Sequence, residues 1–77
     1  MDSHLSEMPP ILERDKLAKA TFYLVKKYYE YKPDSHTETI MWFMTRNPML
    51  GDVTPMHYVE IGRSDKLLKF VKMCLNE

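Results

Sequence analysis

Residues 35–55 read SHTETIMWFMTRNPMLGDVTP, and this stretch decides the fold. It opens on Ser35-His36-Thr37-Glu38, which has the form of a capping box: the Ser35 hydroxyl can accept from the Glu38 N–H while the Glu38 carboxylate reaches back. The next run, Ile40-Met41-Trp42-Phe43-Met44, is apolar around the whole helix circumference, which predicts burial on more than one face. In a chain this short, part of that surface is expected to meet another chain. Asn47-Pro48 stops the helix, because the residue before a proline is pushed out of the helical region. In the connector that follows, Gly51 can take the positive φ that other residues resist. Thr54 then serves as N-cap and Pro55 as first helical residue, where its missing N–H costs nothing. Trp42 is expected to anchor the core, so that Trp42→Ala costs about 3–5 kcal/mol. Asn47 is expected to brace the loop through its side chain, and Leu50 to pin the loop down.

Working outward, Ile11 to Tyr31 contains neither Gly nor Pro and predicts one long helix. Leu17, Ala20, Thr21, Leu24, Val25, Tyr28 and Tyr31 recur at three- and four-residue steps and are expected to share its buried face. Pro33 ends it. Residues 1–10 are polar, close on Pro9-Pro10 and read as a flexible arm. Towards the C-terminus, Gly62 terminates the third helix. Ser64 or Asp65 begins the last, with Leu67, Leu68, Val71, Cys74 and Leu75 as its apolar stripe. Lys66, Lys69, Lys72 and Met73 face away from that stripe, and Phe70 lies at its border. No strand-like alternation or internal repeat occurs. The expected architecture is all-α: one domain over residues 11–77, a small bundle of about four helices with one long N-terminal helix followed by three shorter ones.

Seventy-seven residues bury only about 60% of the surface of the unfolded chain, so the core needs reinforcement. Cys74 is the only cysteine, which rules out an internal disulfide and predicts a reducing cytoplasm. No membrane span or signal peptide is expected. Association with another chain, including a homodimer, is the reinforcement left. Eleven basic residues balance eleven acidic ones, which argues against a dedicated nucleic-acid binder. Seven methionines, five tyrosines, three phenylalanines and one tryptophan suit adaptable contact surfaces, although methionine also fills gaps in ordinary cores.

Catalytic chemistry finds little support. Gly51 and Gly62 form no phosphate-binding pattern. His4, His36 and His57 are scattered, so no metal site is expected and no cofactor is implied. A Cys74–His57 nucleophilic pair is conceivable, but Cys74 on an apolar stripe reads as a buried small hydrophobe. Asp15, Glu30, Glu38 and Glu60 read as solvated charges, and the lysines of the first helix as a solvated face. The expectation is a protein without enzymatic activity.

One ordered string is specific. Trp42-Phe43, Asn47-Pro48-Met49-Leu50-Gly51, Thr54-Pro55, Gly62 and then Leu67-Leu68 with Phe70-Val71 resemble the toxin-binding domain of the Xre/MbcA/ParS-like antitoxins, over roughly residues 37–75. The resemblance implies a helical, often dimeric domain that neutralises a RES-type toxin, a protein that depletes or transfers parts of NAD, by covering its active-site entrance. It carries over as structural motif residues Trp42, Asn47, Pro48, Leu50, Gly51, Thr54, Pro55 and Gly62. By position, residues 72–77 are the candidate plug of that entrance, and the candidate partner contacts are Lys69, Phe70, Met73, Asn76 and Glu77. Longer members also carry an N-terminal helix-turn-helix for DNA, for which this sequence leaves no room. Two other readings stay open: an interaction or dimerisation module, from a bacterium or a mobile element, with a different protein target, and a small DNA-binding regulator. The last rests on the two helices around Gly62, where Lys66, Lys69 and Lys72 come with few base-reading side chains.

Overall fold

A computed structural model describes residues 8–75. The expected arm falls partly on residues 1–7, and the expected contacts Asn76 and Glu77 on the C-terminal end; both lie outside the described residues. Among the described residues there are five α-helices and no strand: α1 (Pro10–Glu13), α2 (Lys16–Tyr28), α3 (Ser35–Met44), α4 (Pro55–Glu60) and α5 (Ser64–Cys74), with a 3-10 turn at Pro48–Leu50. The chain is all-α.

The single long helix expected over residues 11–31 is two helices. Asp15 breaks it, with extended backbone angles (φ −112°, ψ 110°) and a carboxylate that accepts from the N–H groups of Leu17 and Ala18. The stretch has no Gly or Pro, yet an aspartate that caps its own downstream turn competes with helix continuation. At its other end α2 stops at Tyr28, earlier than expected. The apolar repeat of α2 has the expected period but a rotated phase. Its buried residues are Ala18, Thr21, Phe22 and Val25, whereas Leu17, Tyr28 and Tyr31 are exposed. Phe22, outside the expected face, stacks on Phe43 of α3 at 5.8 Å and supplies the centre of the core.

The N-cap of α3 lies one residue earlier than expected, and the Ser35–Glu38 capping box does not form. Asp34 is the cap, its carboxylate accepting from the Thr37 N–H at 3.2 Å and from the Thr37 hydroxyl at 2.7 Å. Ser35 is already helical and gives its carbonyl to the Thr39 hydroxyl. An ionised carboxylate is a stronger acceptor than a serine hydroxyl, and two bonds from Thr37 favour it further. Thr54 and Pro55 start α4 as expected, the Thr54 hydroxyl accepting from the His57 N–H. The C-terminus of α4 is a Schellman motif: Gly62 has φ +75°, its N–H donates to the Val59 carbonyl, and the Arg63 N–H donates to that of Tyr58.

Helices α2 and α5 make the most extensive contact. They run parallel: Asp15 and Ser64 meet at their starts, while Leu24, Lys27 and Tyr28 gather around Leu75 at their ends. Ser64 begins α5 without capping it; its hydroxyl, buried, donates to the Asp15 carboxylate at 2.6 Å. Asp15 is therefore a shared bracket between two helix starts, where the sequence predicts a solvated charge. Leu67 and Val71 of α5 are buried against α2, while Cys74, expected on the same stripe, is exposed. It lies at the last turn, beyond most of the packing that covers Leu67.

Candidate functional site

The loop between α3 and α4 is built from local signals. The Asn47 side chain accepts from the Met49 N–H at 2.9 Å, and Asn47 forms an isolated antiparallel bridge with Val53, its N–H donating to the Val53 carbonyl. Gly51 (φ +87°) and Asp52 (φ +65°) both sit in the left-handed region, which returns the chain in so few residues. Leu50 is buried beneath the loop, and Pro48 starts the 3-10 turn on its exposed side.

This loop closes one end of a cleft between the last turn of α2, the second half of α3 and the last turns of α5. The cleft has a volume of about 310 Å³. Trp42, Phe70, Tyr28 and Tyr29 form its aromatic walls, Val25 and Val71 lie at its base, and Asn47, Met49, Cys74 and Leu75 complete the lining. Among the described residues no charged side chain lines it. Trp42 is half-buried, its ring edge-on to Phe43 at 5.0 Å, so it is Phe43 rather than Trp42 that occupies the core. On a helix apolar all round, adjacent aromatics point in different directions, and here the larger one walls the cleft. Tyr28 is 56% and Met49 75% exposed, so the rim is apolar and open. Burial pushes the Tyr29 phenol above its ordinary value, with Tyr28 adding to the effect, so it remains a neutral hydroxyl at physiological pH.

Of the residues expected from the sequence to carry function, Trp42, Asn47 and Phe70 come together in this cleft. Gly51 turns the loop that closes it, while Thr54, Pro55 and Gly62 bound α4 and do not line it. Lys69 stands on the other flank of α5, in a groove with Leu17 and Leu68. Met73 is 71% exposed and belongs to neither surface. Cys74 and Leu75, from the segment expected as the plug, also line the cleft, as do Tyr28, Tyr29 and Met49, which the sequence did not single out for it. The adjacent Tyr28-Tyr29 pair at a helix end was the available signal, since a pair there can wall a cavity while the hydroxyls reach solvent.

Other chemistry is dispersed. His57 lies in a separate groove with Tyr58, Arg63 and Lys66, and shares no cavity with Cys74. Among the described residues no three of His, Cys, Asp and Glu cluster as a metal site would need, and no helix is long and apolar enough to cross a membrane. The α5 lysines divide between surfaces: Lys66 faces the His57 groove, Lys69 and Lys72 the Leu17 groove. Compared with models of protein families, with curated proteins and with solved structures, the chain matches none.

Proposed function

We propose that this chain is a protein-recognition module without catalytic activity of its own, and that the Trp42–Phe70 cleft receives an apolar side chain of its partner. The observation that carries this reading is the aromatic-walled cleft, uncharged among the described residues, with an exposed rim. Such sites accept an anchoring side chain because its burial releases water from both apolar surfaces, while rigid aromatic walls lose little entropy. Met49 at the rim is exposed, and methionine adapts its shape to a partner.

The partner we propose is a RES-type toxin whose active-site entrance the chain covers. The support is the motif string of residues 42–62, together with the position of the cleft, whose lining includes Cys74 and Leu75 of the C-terminal segment. The exposed lone thiol of Cys74 suits a reducing cytoplasm. Co-expression with a RES-type toxin encoded in the adjacent reading frame tests the proposal. Restored growth and a co-purifying complex are expected, and both are lost with Met49→Asp or Cys74→Arg, which place charge at the rim without touching the core. Ile61→Asp, at an exposed position outside the cleft, is expected to leave both intact. Absence of complex and of rescue with the unmodified chain would refute the toxin as partner. If a pull-down instead recovers one other protein in a Met49-dependent manner, the cleft stands and the partner changes.

A further inference from the structure

We infer that the groove between α4 and the first turn of α5 binds a short acidic segment of a partner protein, one that carries an apolar side chain among its carboxylates. This inference is independent of the partner proposed for the cleft, with which the groove shares no lining residue. The Schellman turn at Gly62 builds the groove. With Gly62 at φ +75° and the Arg63 N–H held on the Tyr58 carbonyl at 2.7 Å, the chain turns sharply from α4 into α5. His57 and Ile61, about one helical turn apart, thereby line one groove of about 390 Å³ together with Arg63 and Lys66. Leu50 is buried and Tyr58 half-buried, and they form its floor.

Charge identifies the occupant. The chain has as many acidic as basic residues, so an excess of one sign on a surface is a matter of placement. Among the described residues no acid lines this groove, whereas His57, Arg63 and Lys66 do. The acids at the start of α5 are engaged elsewhere: Asp65 lines the Leu17 groove, and the Asp15 carboxylate accepts from Ser64 and two α2 N–H groups. Arg63 and Lys66 are exposed, and among the described residues neither makes an ion pair. Arg63 offers a planar fork that matches a carboxylate, Lys66 a point charge, and the His57 ring a donor N–H in either charge state. Exposed ion pairs alone contribute little. Ile61, 52% exposed, and half-buried Val53 add an apolar bed on which a leucine-sized side chain gains by leaving water. That combination selects among anionic partners. A nucleic-acid strand needs a longer basic track and an anionic bilayer a larger basic cluster, while two cations beside one apolar bed match a few residues of acidic peptide.

Amide nitrogen–proton correlation spectra of the full chain, titrated with a blocked hexapeptide of four glutamates and two leucines, test the inference. Saturable shifts are expected at Val53 and over residues 57–66, with an affinity that falls as salt is added. A counterpart peptide with glutamine in place of glutamate is expected to leave the spectrum unchanged. Arg63→Glu and Lys66→Glu each weaken binding by about tenfold or more, because they set like charges against the peptide. Ile61→Asp abolishes binding, and the spectra themselves report that each variant stays folded. Met49→Asp, on the cleft rim, leaves peptide binding unchanged, so failure here and failure of the cleft reading are told apart. Absence of shifts with peptide on the order of 1 mM, the weak end of specific association, overturns the inference. So do shifts confined to another surface, or an equal response to the glutamine counterpart. Tighter binding of a thymidine oligonucleotide or of phosphatidylglycerol vesicles to the same residues overturns the acidic peptide as occupant.

Discussion

Asp15 is the residue with the most dependants. Its carboxylate accepts from two backbone N–H groups of α2 and from the Ser64 hydroxyl of α5. The Ser64 bond lowers its pKa most, partial burial opposes this, and the two backbone bonds lower it further. Because the folded value lies below the unfolded one, the contribution to stability is complete above the ordinary carboxylate range. It is lost as pH falls through the depressed folded value. Asp15→Asn is therefore expected to flatten the acid limb of melting temperature against pH, with Ser64→Ala doing so in part. Asp15→Ala should cost about 1–2 kcal/mol through lost capping, read by urea denaturation at neutral pH. At the same scale, Phe43→Ala should cost about 3–5 kcal/mol, enough to unfold a domain this small. Trp42→Ala should cost clearly less, since Trp42 keeps one face on the cleft. The sequence shows two adjacent aromatics on a helix that is apolar all round, and no local pattern tells which of them turns inward; that depends on where Phe22 arrives from α2.

Among the elements, legibility follows the range of the forces involved. The start of α4 at Thr54-Pro55, the brace of Asn47 and the left-handed Gly51 and Gly62 were all readable, because each is settled by a residue and its next few neighbours. The break at Asp15 was hidden because its periodic surroundings continue on both sides and its second partner lies at Ser64, far along the chain. The phase of α2 is not legible in the sequence for a related reason: the outer row Leu17, Ala20 and Leu24 is as regular as the buried row, and only tertiary packing separates them. The cleft was legible in part, through Trp42, Asn47 and Phe70, while its α2 wall required the tertiary contact. Gly62→Ala should cost about 1–2 kcal/mol through the left-handed backbone alone, because a Cβ there meets nothing within 4 Å. Asp52→Gly should be neutral or slightly stabilising in a thermal melt, since Asp52 already holds φ +65°.

At the scale of the whole molecule, the closest pair of helices is also nearly the most distant pair in the sequence. A helical chain that doubles back with short turns brings neighbours together early, and such chains fold fast. Here α2 and α5 align side by side only after α3, the Asn47–Val53 turn and α4 have carried the backbone around. Closing a segment of that length must precede the contact that rewards it. Refolding after a stopped-flow denaturant jump should accordingly be slower than in antiparallel bundles of equal length. A circular permutant whose new termini fall in the exposed 51–52 turn, with the old ends joined by a flexible linker, should shorten the search by making α5 precede α2 across that linker. The side-by-side alignment thus predicts a kinetic signature: the order of the helices along the chain, more than their stability, is expected to govern how quickly the native state is reached.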